Sequence, residues 1–351
     1  MKRIILFVTI LILTAQISYA GRAKIESIIG DPYVSALAID ADSGNILFEH
    51  QPDTVIYPAS VLKMMVLLII LERVEQNVLG LDEMVQITKE AAQMGGSQVY
   101  LDPKEVFSVE DLLYALMIQS ANDAAVALAM HVSGSKQGFV DLMNQRAAEL
   151  GMKDSRFHSV HGLPPAEGQE PDRTTAADLA ILSRELADKP ETFKYTSTRE
   201  REFRGGTFIM RTHNHLLESV DGCDGFKTGY FKAAGFSIVA TAKRDGVRII
   251  SIVLGSKDRK VRDAKASELL AKGFAMVPAK PRAKPAVSKA NTVAVKPDNP
   301  VTTDTQEKPI STKEKDTTLF SSSGLIMFGL GFGVGCIFCA ILAMYRSSSG
   351  Q

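Results

Sequence analysis

Two short apolar-rich runs, Val34–Asp40 and Ile46–His50, are joined by Asp42-Ser43-Gly44-Asn45, a string of turn formers that predicts a β-hairpin. Tyr57-Pro58-Ala59-Ser60 then leads into Met64–Leu71, an unbroken apolar run. On a helix such a run is apolar on every side, so it predicts a buried helix, too short to cross a membrane. From there to about residue 190 the signals are helical. Ser108 with Asp111, and Thr175 with Asp178, each place a capping hydroxyl three residues before a carboxylate. The pattern then changes back: Phe236–Ala242 and Val247–Leu254 flank Arg244-Asp245-Gly246, an Asp-Gly hairpin signal. A closing helix is predicted over Val261–Lys272, ended by Gly273. Together these elements predict one α+β unit over 21–277, an antiparallel sheet flanked by helices with a helical insertion, and no internal repeat.

The ends of the chain have different patterns. Lys2 and Arg3 precede the apolar stretch Ile4–Leu13, and Ser18-Tyr19-Ala20 offers small residues at both positions that a signal peptidase reads, so 1–20 is expected to be a secretory signal. Beyond Pro278 the chain turns to Pro, Lys, Thr, Asp and Ala, predicting an unfolded linker over 278–324. Leu325–Tyr345 carries no charge and is long enough for a helix through roughly 30 Å of hydrocarbon. With the main domain exported, the tail 346–351, which begins with Arg346, is expected in the cytoplasm and the folded part outside a bacterial cell membrane. Gly329, Gly331, Gly333 and Gly335 give two Gly-x-x-x-Gly registers, which suggests a homodimer through that helix.

Charge narrows the function classes. The 351 residues include 40 basic and 40 acidic side chains, so no global field favours nucleic acid. Cys336 and Cys339 lie in the apolar span, which leaves Cys223 alone in the exported part without a disulfide partner; it reads as a packed small hydrophobe. His158-x-x-His161 and His213-x-His215 are spacings that could ligate zinc, but no neighbouring acid completes a familiar hydrolytic site, so neither a metal nor a cofactor is expected.

The chemistry lies in three short motifs taken in order: Ser60-Val61-Leu62-Lys63, Ser120-Ala121-Asn122 and Lys227-Thr228-Gly229. Ser-x-x-Lys alone is weak, and a second copy, Ser133-Gly134-Ser135-Lys136, sits in a polar turn. Ser60 instead stands at the start of the buried helix with Lys63 on the same face, where hydroxyl and amine can meet. A serine hydroxyl needs a base, and a desolvated lysine beside another cation such as Lys227 is neutral enough to serve.

This set resembles the penicillin-binding proteins and serine β-lactamases, and over residues 30–275 it is most similar to the low-molecular-mass D-alanyl-D-alanine carboxypeptidases. Gly151-Met152-Lys153-Asp154, His161-Gly162-Leu163 and Leu254-Gly255-Ser256 add to that likeness. The resemblance implies a β-lactamase/transpeptidase-like fold and an acyl-enzyme on Ser60. It implies Lys63 as base and Ser120 as proton relay to the leaving group, with Asn122 holding the substrate's peptide. By the same resemblance Lys227 and Thr228 bind its terminal carboxylate; Arg262 either assists them, as a guanidinium that pairs bidentately with such groups, or makes an ordinary surface ion pair. The backbone amides of Ser60 and Tyr230 would form the oxyanion hole, and Gly229 would admit the substrate backbone. The substrate would be the peptidoglycan stem peptide, and β-lactams covalent inhibitors. Two alternatives stand beside this: a serine β-lactamase, which lacks here both its usual Ser-Asp-Asn and a Glu-containing deacylation loop, and a non-catalytic wall-binding protein of the same fold.

Overall fold

The computed structural model describes residues 22–279 except Lys24. The expected signal peptide, nearly all of the linker, the apolar span with its glycine registers and the tail lie outside the described residues. Among the described residues no helix is long and apolar enough to cross a membrane.

Five strands form the main sheet: β1 Ser35–Asp40, β2 Ile46–His50, β7 Cys223–Phe231, β8 Gly235–Arg244 and β9 Val247–Ser256. Their order is β2-β1-β9-β8-β7, each neighbouring pair antiparallel. Both predicted hairpins are present. Between β8 and β9, Asp245 has φ 45° and Gly246 φ 79°, the left-handed pair that matches a two-residue turn to the strands' twist. Every residue of β9 is buried, because its period-two alternation serves two cores. Ile250, Ile252 and Leu254 face the larger core, while Ile249 and Val253 face a smaller one beneath the last helix. The other strands form two small ladders, β3 Met84–Gln86 with β4 Val106–Ser108, and β5 Glu200–Phe203 with β6 Phe208–Arg211.

The helices are α1 Lys63–Glu75, α2 Lys89–Ala92, α3 Val109–Met117, α4 Asn122–Ser133, α5 Lys136–Leu150, α6 Ala176–Ala187, α7 Glu191–Thr196, α8 Leu216–Ser219 and α9 Arg259–Met276. In α1 every residue from Lys63 to Leu71 is buried, as a helix apolar on all sides requires. Ser108 and Thr175 cap α3 and α6 by accepting the amides of Asp111 and Asp178, each cap contributing about 1 kcal/mol. The second Ser-x-x-Lys is structural: Ser135 caps α5 and Lys136 pairs with Glu90 at 2.8 Å.

One expectation is corrected. The last helix starts at Arg259 behind the Asp258 cap and runs through Gly273 to Met276. Gly273 does not stop it. A Cβ there would lie 2.6 Å from Ile249 Cγ2, so the glycine lets the helix approach the sheet closely.

Candidate active site

Ser60 sits on a 3₁₀ turn, Ala59–Leu62, wedged between β7 and α1. Ala59 is held left-handed at φ 48°, a conformation that an alanine keeps only when its surroundings dictate it. Two glycines do so. A Cβ on Gly162 would fall 2.1 Å from Ala59 O, and one on Gly229 would fall 2.6 Å from Pro58 O and 3.1 Å from Ser60 N. The space a side chain at Gly229 would need is therefore filled by the chain's own backbone, while Gly229 itself lines the cleft. The same closeness sets the Ser60 amide beside the strand carrying Tyr230.

One turn on, the Lys63 side chain is fully buried with Nζ 3.0 Å from Ser60 Oγ, 2.7 Å from Asn122 Oδ1 and 2.7 Å from the His161 carbonyl. No carboxylate is within hydrogen-bonding distance of it among the described residues. Burial, and next the charge of Lys227, hold the amine well below its ordinary pKa; Asp123 and Asp172 oppose this more weakly. A neutral amine suits its three neighbours, donating its two hydrogens to the carbonyls of Asn122 and His161 and accepting the hydroxyl hydrogen of Ser60.

Ser120, left-handed at φ 60°, and Asn122 occupy the junction between α3 and α4. The Asn122 backbone N–H donates to Ser97 O at 2.8 Å, and its side-chain Nδ2 donates to Gly95 O at 2.7 Å. Lys227 and Thr228 stand on β7, an edge of the sheet, both buried. Burial and then Arg262 lower the Lys227 pKa to about 7. Arg262 is 2% exposed and bonds Asp263 Oδ1 through Nε at 2.8 Å. Tyr230 is exposed and stacks on Phe236, ring centroids 4.1 Å apart.

A cavity of about 270 Å³ joins Ser60, Ser97, Ser120, Thr228, Gly229, Tyr230 and Arg262. Sequence reasoning missed His213, His215 and Arg259 in its wall. Their alternating spacing was visible only as a metal pattern, and nothing local announced that β7 would bring Lys227 near them. Burial and then Lys227 push His213 down to about 4, so it is a neutral imidazole at pH 7. His161, beside Lys63, falls to about 3 by burial and that lysine. Among the described residues no group of three or more His, Cys, Asp or Glu is gathered as a metal would need. Among the described residues no Asp or Glu lines the cavity while two arginines do, so the charge there favours an anionic ligand end.

The sequence profile of the D-alanyl-D-alanine carboxypeptidase family matches residues 32–258, with the three motifs inside it. The chain belongs to this family. It is a serine-type D-alanyl-D-alanine carboxypeptidase, and its α+β fold is that of the low-molecular-mass penicillin-binding proteins. D-alanyl-D-alanine carboxypeptidase DacF of Bacillus subtilis is 35% identical over 277 residues, 77% of this chain and 70% of that protein. Among solved structures, penicillin-binding protein D2 of Listeria monocytogenes in its ampicillin-bound form has 32% identity and a TM-score of 0.63, covering 69% of this chain and 98% of that one. Penicillin-binding protein 5 of Haemophilus influenzae has 32% identity and a TM-score of 0.65, covering 73% of each chain.

Proposed function

We propose that this carboxypeptidase cleaves the terminal D-alanine from peptidoglycan stem peptides through an acyl-enzyme on Ser60. The observation that carries the reading is the contact of Ser60 Oγ with a buried lysine that, among the described residues, has no carboxylate within hydrogen-bonding distance. Lys63 takes the hydroxyl proton as Oγ attacks the peptide carbonyl, and the developing oxyanion is met by the backbone amides of Ser60 and Tyr230. Ser120 passes a proton to the leaving amine, and Asn122 holds the peptide on the acyl side. Lys227, Thr228 and Arg262 receive the terminal carboxylate. Water then releases the shortened peptide and frees Ser60.

β-Lactams acylate the same serine. Their release is slow, since no Asp or Glu among the lining residues stands ready to activate water against that ester. The first twenty residues direct export, Leu325–Tyr345 anchors the protein and pairs with a second copy through its glycines, and the cleft faces the wall from the outer side of the membrane. Ser60→Ala should remove both D-alanine release and labelling by a fluorescent penicillin while circular dichroism is unchanged. Labelling that persists at another serine overturns the assignment of Ser60.

A further inference from the structure

Asn122 is bonded on two sides before any ligand arrives. Its Oδ1 accepts Lys63 and one Nδ2 hydrogen goes to Gly95 O, so a single amide hydrogen is left for a ligand. Where that hydrogen points depends on the carbonyls of Gly95 and Ser97, the latter fixing the Asn122 backbone. Both belong to the segment 94–101, which has no helix or strand of its own and whose Ser97 lines the cleft. Tyr100 within it is left-handed at φ 59°, so something outside must hold the segment in shape.

Two side chains hold it from opposite directions. Asp123, the neighbour of Asn122 on α4, accepts the amide of Val99 at 3.2 Å and of Leu101 at 3.1 Å. The carbonyls on the other side are held by Arg204, which arrives from the turn between β5 and β6. Its guanidinium donates to Val99 O and, at 2.6 Å, to Tyr100 O. It also grips Glu105 through Nε at 2.6 Å and Nη2 at 2.8 Å, and lies 5.1 Å from the Phe203 ring centroid. Arg204 is itself left-handed at φ 51° and is followed by Gly205 at φ 59° and Gly206 at φ 88°, a turn that aims this one side chain inward. The planar fork makes these four bonds from three separate nitrogens, which the three donors on the single nitrogen of a lysine cannot reproduce.

We propose that Arg204 is a positioning residue: by holding the Val99 and Tyr100 carbonyls it fixes the segment that aims the Asn122 amide at the acyl side of a bound ligand. It rests on the reading of Ser60 and Asn122 above.

The test compares two β-lactams on the full chain: benzylpenicillin, whose side-chain amide carbonyl Asn122 can hold, and 6-aminopenicillanic acid, which lacks it. Arg204→Ala should slow acylation by benzylpenicillin about tenfold, the scale of one misaligned hydrogen bond. Acylation by 6-aminopenicillanic acid should stay within about twofold, because it never uses that bond. Arg204→Lys should move the ratio of the two rates in the same direction by at least about threefold, and decides alone if the alanine variant does not fold. A general loosening of the fold would slow both compounds alike. An unchanged ratio in the folded variants overturns the role of Arg204. A wild-type protein that neither compound acylates overturns the reading of Ser60, and this role falls with it.

Discussion

Lys63 meets three oxygens and no carboxylate, which suits an amine that is neutral when Ser60 is to be deprotonated. Acylation by a fluorescent penicillin should therefore rise with pH and level off well below 10.5, the ordinary value for lysine, since burial and Lys227 lower this one. Lys63→Arg should abolish it at every pH, because a guanidinium does not give up its proton in this range. His161, near 3, and His213, near 4, stay neutral from pH 5 to 8 and should add no inflection there. The second lysine makes a stability prediction. Lys227 has a folded pKa of about 7 against 10.5 for the ordinary group, so the folded state binds fewer protons between those values and this side chain opposes folding most below pH 7. Lys227→Met should raise the melting temperature more at pH 6 than at pH 9, by about 2–4 °C for each kcal/mol recovered. An equal or opposite change in a thermal scan would show that Lys227 is not held as a buried base.

At the scale of elements, glycines decide how closely the pieces approach. Gly162 and Gly229 grip the turn that carries Ser60, and Gly273 lets α9 lie on Ile249. Gly273→Ala should cost about 1–3 kcal/mol as an overpacked contact. It should leave kcat/KM for D-alanine release within about twofold, because Gly273 lies about three helical turns along α9 from Arg262, where that helix reaches the cleft. Ile249→Ala removes the obstructing branch, so the two changes together should be less damaging than the sum of each alone, measured by denaturant unfolding. Additive costs would mean that the alanine is accommodated elsewhere. The caps and hairpins were legible in the sequence because each is written within four residues, as in Ser108 with Asp111 or Asp245-Gly246. The end of α9 was not: a glycine reads as a stop locally, and only the sheet beneath shows why it is needed inside the helix.

Across the whole molecule, the sheet and helices that hold the cleft are complete by Met276. The catalytic part should therefore not need the proposed anchor. Removing Leu325–Tyr345 should move the protein from the membrane to the soluble fraction, while D-alanine release per mole stays within about twofold. Retention in the membrane fraction would count against the span as the anchor. The linear pattern determined the α+β class, the buried first helix, the hairpins and the motifs Ser60–Lys63, Ser120–Asn122 and Lys227–Gly229 as the candidate site, because hydrophobic period, turn chemistry and short spacing are local properties. What it left open was decided by burial and by contacts between distant segments. Such contacts bring the His161 carbonyl to Lys63 across 98 positions and Arg204 to Tyr100 across 104, and they bury Lys63 with no carboxylate in hydrogen-bonding distance among the described residues. A pKa set by desolvation and a backbone held from two sides depend on what the fold places around a residue, and that environment exists only once the chain has closed on itself.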